Sequence, residues 1–294
     1  MAARRYTLLD VFTSTPLEGN GLAVVHDADG LDDAAMLAFA RETRLSETTF
    51  VQSPTAEATG AQGADYRNRI WTVARELPFA GHPSLGTAVA VARATGASGT
   101  VRYVQQTGAG LQPVEVTLDP DGDRAYASML QEPAEFGPEV ERADALAAIG
   151  LSAADGDPDL PPQVVSTGVP QLIVPLRDGA TAVRATPDYD ALAALLNPLG
   201  AVTLYAASCS PDSEHGRVHA RSFAFDAGIG EDPATGSAAG PLCAYLAART
   251  GTPRVTISQG VEMGRPSRLE AAVEGDRVRV GGDVVVVVDG TLRL

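Results

Sequence analysis

Cysteine is scarce. Cys209 and Cys243 are the only two in 294 residues, and neither sits in a CxxC pair. They build neither a disulfide framework nor a thiolate zinc site. Basic residues are outnumbered, 22 against 37 acidic ones, for a formal net charge of −15. A surface that acidic repels phosphate backbones and anionic lipids, which argues against nucleic-acid and membrane partners. Long apolar runs are missing too. The valines from Val284 to Val288 make a strand-length run, far short of a bilayer span. Met1 to Asp10 carries two arginines with no apolar segment behind them, so no signal peptide is expected and the cytoplasm is the default location. Histidine is sparse as well. His215 and His219 are spaced i,i+4, but the region reads as turn then strand and no third ligand stands out, so no metal is expected. Gly228-Ile229-Gly230 opens like a dinucleotide motif, yet Pro233 takes the third-glycine position, and Gly236-Ser237 lacks the lysine of a phosphate loop. No cofactor is expected.

What the chain does have is enough apolar material, 45% of residues, for two lobes of ordinary size. Alternating, β-branched segments predict strands at Tyr6–Phe12, Leu22–Val25, Thr48–Gln52, Arg69–Val73, Thr100–Gln105, Val114–Leu118 and Arg124–Met129. Helical spacing covers Asp32–Thr43 and the stretch after Pro83 through Thr95. The pattern then restarts. Helices are predicted at Val140–Ile149, Asp188–Leu196 and Ala234–Ala248. Strands are predicted at Val164–Ser166, Leu172–Pro175, Val202–Ala206, Arg217–Phe225, Arg254–Ser258, Ser267–Val273, Arg277–Val280 and Val284–Val288. Strands and helices without strict βαβ alternation indicate an α+β fold.

An internal echo organises the chain. His82-Pro83-Ser84-Leu85-Gly86-Thr87-Ala88 matches Asp232-Pro233-Ala234-Thr235-Gly236-Ser237-Ala238, and each copy follows a strand and opens an alanine-rich helix. The match implies a duplicated lobe: an N-terminal lobe over 1–130 and a C-terminal lobe over 131–282, with 283–294 a strand that could return to the first. Proline favours the first helical position, which predicts His82 and Asp232 as N-caps. Gly86 and Gly236 cost helix propensity, so close backbone approach is expected at each. Backbone N–H groups at two helix N-termini attract anions. If both ends face one cleft, they could hold a carboxylate without lysine or metal.

These residues carry a resemblance. Glu76-Leu77-Pro78-Phe79-Ala80-Gly81-His82-Pro83 and Gly230-Glu231-Asp232-Pro233-Ala234-Thr235-Gly236-Ser237-Ala238 resemble the hallmark segments of the PhzF-like isomerases, a family named for phenazine biosynthesis that shares the diaminopimelate-epimerase fold. Further matches run the length of the chain: Asp10-Val11-Phe12-Thr13 with Gly19-Asn20, Ser46-Glu47-Thr48-Thr49-Phe50, Ser166-Thr167-Gly168, Gln259-Gly260 and Met263-Gly264-Arg265-Pro266. The resemblance implies two pseudo-symmetric lobes, each a curved mixed sheet wrapped around a central helix, and often a homodimer. It implies a cofactor-free isomerase of a small carboxylate, the type activity being isomerisation of trans-2,3-dihydro-3-hydroxyanthranilate. A glutamate takes a proton from one ring carbon and returns it to another.

By motif match that glutamate is Glu47. Taken alone, a glutamate at the head of an apolar strand is usually solvated; a buried one shifts towards neutrality, which suits a group that both takes and gives a proton. The family's histidine falls on His82, expected neutral beside a helix N-terminus. Its aspartate falls on Asp232, which capping alone could explain but which is expected to join Glu47 and His82 as a catalytic residue, and its serine on Ser237. Ser46, Gly81, Gly236 and Ser237 are expected to contact the substrate. Gly21 and Ser84 are mild departures, standing where the family often has proline and threonine. The related racemases place a cysteine in each echoed loop, and these loops have none. Two alternatives stay open: a racemase or epimerase of a small amino or hydroxy acid, and a non-catalytic metabolite-binding relative.

Overall fold

The computed structural model describes residues 2–59, 63–210, 216–224 and 230–294. His215, Gly228 and Ile229 fall outside these residues, as does the end of the strand expected to reach Phe225. The chain divides into two compact units, Met1–Met129 with Gly281–Leu294, and Leu130–Val280. The fold is α+β, and each unit is a mixed sheet around a central helix.

In the first unit β1 (Ala3–Val11) runs antiparallel to β2 (Asn20–Val25), which is parallel to β3 (Glu47–Gln52). Helix α1 (Asp33–Thr43) makes the crossover; its N-cap Asp32 accepts from the Ala35 N–H at 2.8 Å. Strand β4 (Tyr66–Trp71) is antiparallel to β3 and to the two-residue β5 (Glu76–Leu77), and parallel to β6 (Thr100–Thr107). Helix α2 (Gly81–Ala94) makes that crossover. Strands β7 (Gly110–Leu118) and β8 (Arg124–Leu130) continue antiparallel.

The second unit repeats this order. After β9 (Glu135–Glu139) and α3 (Arg142–Ala147), β10 (Gln163–Ser166) runs antiparallel to β11 (Pro170–Leu176). Helices α4 (Gly179–Arg184) and α5 (Tyr189–Leu199) lead to β12 (Thr203–Ser210), parallel to β11. Strand β13 (Gly216–Ala224) is antiparallel to β12 and to the two-residue β14 (Glu231–Asp232). Helix α6 (Gly236–Thr250) crosses to β15 (Arg254–Gln259), parallel to β13, and β16 (Ser267–Glu274) follows antiparallel. Strand β17 (Arg277–Arg293) ends in the first unit, where it pairs with β1 from Val11↔Val284 to Ala3↔Arg293.

The two central helices are buried nearly all round, α2 from Gly81 to Ala92 and α6 over most of Gly236 to Leu246. That explains their composition. A helix enclosed by its own sheet cannot be amphipathic, and small residues let strands approach. At Gly86 an added Cβ would lie 2.6 Å from Leu22 Cδ2 and 2.8 Å from Val11 Cγ2, which bears out the close approach expected there. Each fully buried leucine, such as Leu85 or Leu242, contributes about 1.5–3 kcal/mol over exposure.

Two expectations are corrected. His82 and Asp232 are not N-caps. Helix α2 starts at Gly81 after an extended Ala80, so His82 is its second residue and Pro83 its third. Proline fits there because first-turn N–H groups have no intrahelical acceptor. Asp232 lies in β14, opposite Ser222, and α6 is preceded by Thr235. The register of the echo shifts as well. Glu76 and Glu231 stand opposite Trp71 and Phe223, and Gly81 and Gly236 open the two helices. The structural repeat is therefore 155 residues (76 to 231, 81 to 236), and the counterpart of His82 is Ser237, while Asp232 answers to Leu77.

Candidate active site

Glu47 opens β3, opposite Leu22 on β2, and is 7% exposed. His82, on the first turn of α2, is 4% exposed. Its Nε2 lies 3.5 Å from Glu47 Oε2 without forming a hydrogen bond to it. Its Nδ1 lies 3.2 Å from Asn20 Nδ2. An amide NH2 can only donate, so Nδ1 accepts, and the neutral ring carries its proton on Nε2, on the side of Glu47. Burial lowers the His82 pKa to about 3, so the ring stays neutral at physiological pH. Its Nε2 has no hydrogen-bond partner among the described residues. A buried donor without a partner is costly in a resting fold and marks a place where a ligand would complete the bonding. Ser46 stands immediately before Glu47, and Gly81, buried, before His82.

In the second unit Asp232 accepts a 2.5 Å hydrogen bond from Thr235 Oγ1, and its carbonyl accepts from Gln259 Nε2 at 2.7 Å. Gln259, fully buried, also donates to Thr235 Oγ1 and accepts from the Tyr205 hydroxyl and the Thr235 N–H. This network fixes the loop from β14 to α6. Gly236 and Ser237 form the first turn of α6, and the Gly236 carbonyl accepts from Gln131 Nε2 at 2.9 Å.

The structure thus brings Glu47 and His82 together with Asn20 in one unit, and Asp232, Gly236 and Ser237 to one loop and helix start in the other. Asn20 and Gln259 lie in segments quoted above only as family matches; no local periodicity marks them as hydrogen-bonding centres. A second missed feature is duplicated. Arg69 forks onto Glu76 at 2.7 and 2.6 Å, and Arg221 onto Glu231 at 2.8 and 2.8 Å. Each guanidinium also covers the aromatic two residues on, Trp71 at 5.5 Å and Phe223 at 4.9 Å. The repeated Arg-x-aromatic followed by Glu was a readable signal.

Burial disfavours the thiolate form of both cysteines. Burial raises the Cys209 pKa to about 11 and that of Cys243 to about 12. Among the described residues no three of His, Cys, Asp or Glu stand together as a metal requires, and no helix is long and apolar enough to cross a membrane. A cavity of about 540 Å³, lined by Arg5, His26, Arg93 and Asp289 among others, contains none of the candidate residues.

A family model described as phenazine biosynthesis-like protein matches residues 9–290. A trans-2,3-dihydro-3-hydroxyanthranilate isomerase of Pseudomonas aeruginosa is 39% identical, over 94% of this chain and 92% of that protein. Its namesake from Pseudomonas fluorescens is 37% identical over 98% and 99%. Among solved structures, a predicted epimerase from Pseudomonas aeruginosa superposes with a TM-score of 0.83 at 37% identity, covering 99% of both chains. A hydroxyproline epimerase from Agrobacterium vitis shares the fold alone, with a TM-score of 0.64 at 14% identity over 99% of this chain and 91% of that one.

Proposed function

Because this chain is an isomerase belonging to the phenazine biosynthesis-like (PhzC-PhzF) family, we propose that it isomerises trans-2,3-dihydro-3-hydroxyanthranilate or a close cyclic carboxylate, with Glu47 as the proton-transferring base. The observation that carries this reading is the buried Glu47–His82 couple, its carboxylate 3.5 Å from a neutral imidazole that Asn20 orients. Glu47 takes the proton from a ring carbon next to the developing anion and returns it to a second carbon, so that bonding shifts and no net proton is consumed. His82 Nε2–H steadies the carboxylate or the substrate oxygen as charge moves. Asp232, Ser237, Gly236, Gly81 and Ser46 hold the polar groups of the substrate, with the backbone N–H groups of the helix starts offered to its carboxylate. A homodimer and a cytoplasmic location belong to the same proposal.

Residue chemistry narrows the alternatives. All 22 basic residues are arginine and the sequence has no lysine, so a lysine Schiff base is unavailable. A racemase or epimerase reading needs a second base; the counterparts of Glu47 and His82 in the second unit are Thr203 and Ser237, neither ionises near neutral pH, and that reading would have to rest on Asp232.

The test is Glu47→Gln, which keeps shape and removes basicity. Turnover of trans-2,3-dihydro-3-hydroxyanthranilate should fall roughly 10²–10⁴-fold, while the affinity for 3-hydroxyanthranilate, its aromatic analogue, stays near that of the wild type. Retention of more than about a tenth of the turnover would show that another group is the base.

A further inference from the structure

The hydrogen-bonded registers of the two units fix which residue answers to which. Thr48 and Leu204 stand opposite Trp71 and Phe223, which pairs Glu47 with Thr203. The parallel ladders agree: Glu47 faces Leu22, and Thr203 faces Gln171. His82 and Ser237 are each the second residue of a central helix. Where the first unit has an ionisable couple, the second has a neutral chain. Thr203 Oγ1 donates to Gln171 Oε1 at 2.5 Å, and Gln171 Nε2 reaches Ser237 Oγ at 3.5 Å. Thr203 is 5% exposed and Gln171 fully buried.

The direction of these bonds matters more than their number. A threonine hydroxyl that donates to Oε1 fixes which end of the amide points at Ser237. The end so presented is NH2, which can only donate. The Ser237 oxygen is then an acceptor towards Gln171, and its own proton is left to point elsewhere. We propose that Thr203 and Gln171 are positioning residues that hold the Ser237 hydroxyl as a donor to the carboxylate of the substrate. Such a chain holds an anion with a neutral group and adds no charge of its own. The proposal rests on the reading of Ser237 as a substrate contact given above, and extends it to two residues that touch no substrate.

The experiment is calorimetric binding of 3-hydroxyanthranilate to the full chain and its variants. Ser237→Ala should raise Kd about tenfold or more, the range expected for a hydrogen bond to a charged group. Gln171→Glu keeps the shape but replaces the donor by an acceptor, turning the Ser237 proton inward; Kd should rise about as much. The double variant should be no weaker than Ser237→Ala alone, because one interaction has been removed twice. As the pH falls through the titration of the new carboxyl group, its protonated form can donate to Ser237 again and affinity should recover, which a purely structural loss would not do. Thr203→Val, nearly isosteric, should show a smaller loss of the same kind and guards against a Gln171 variant that folds badly. Additive losses, an unchanged Kd for Gln171→Glu, or a wild type that does not bind the carboxylate would overturn the proposal. A wild type that binds it but turns over no dihydro-hydroxyanthranilate would overturn the substrate reading instead and leave the binding cycle intact.

Discussion

At the scale of single residues, the informative feature is imidazole kept neutral by burial. His82, with a pKa lowered to about 3, and His26, lowered to about 4, have desolvation as their largest cause; for His26 the charges of Arg5, Asp27, Asp289 and Arg93 follow. An unfolded histidine binds its proton near pH 6.5, whereas the buried rings refuse it. Below pH 6.5 the unfolded chain therefore gains protons that the folded one lacks. Stability falls as pH drops, by up to about 1.4 kcal/mol per pH unit for each ring, and that loss stops only near the folded values. Urea unfolding between pH 7 and pH 4.5 should show this decline, and His26→Gln should make it shallower. A slope unaltered by His26→Gln would mean that His26 titrates in the fold. Turnover should likewise show no limb near pH 6.5 arising from His82.

At the scale of elements, the two arginine clamps differ in a way that can be measured. Each ties its short strand to the long one beside it, five residues before a central helix begins. The Arg221 and Glu231 side chains are 8% and 17% exposed, and Arg221 also donates to the carbonyls of Ala182 and Ala185. The Arg69 partners Glu76 and Asp33 are 35% and 72% exposed. Removing one member of a buried pair strands the other and costs about 3–5 kcal/mol, whereas exposed pairs contribute about 0–1 kcal/mol. Arg221→Met should therefore destabilise clearly more than Arg69→Met, read as the shift in urea midpoint; equal shifts would refute the ranking. Sequence reasoning saw most elements but mis-set their detail. Helix α1 was readable because Asp32 caps it and apolar residues recur at helical spacing. Strand β9, Glu135-Phe136-Gly137-Pro138-Glu139, was not, since it is exposed throughout and exists through its pairing with β10. The echo was real but read five residues out of register. Proline and glycine are local signals that several first-turn positions satisfy, whereas the true register is set by strand pairs that no local pattern displays. Glu47 and His82 were found by motif, and their contact is a tertiary fact. Gln171 and Thr203 were missed because a buried amide and a threonine in a strand look like ordinary sheet residues.

At the scale of the whole molecule, the first unit is assembled from both ends of the chain. Residues 281–294 lie apart in sequence from residues 1–129 yet belong to the same unit, and β17 supplies β1 with a partner along its full length. Deleting residues 281–294 should unmake the first unit, exposing one edge of β1 and removing the buried side chains of Val284 and Val285, which are at most 3% exposed. Circular dichroism and proteolysis of the truncated chain would check this; a fully folded, protease-resistant product would refute it. The same connectivity bears on how the protein is born. A ribosome delivers residues in order, and domains generally fold as they emerge. Here the second unit has its whole sequence in hand by Val280, while β1 waits for a strand that is synthesised after that unit. The half of the molecule that begins first is thus the half that finishes second, and until β17 emerges the unit bearing Glu47 and His82 keeps an open sheet edge at β1.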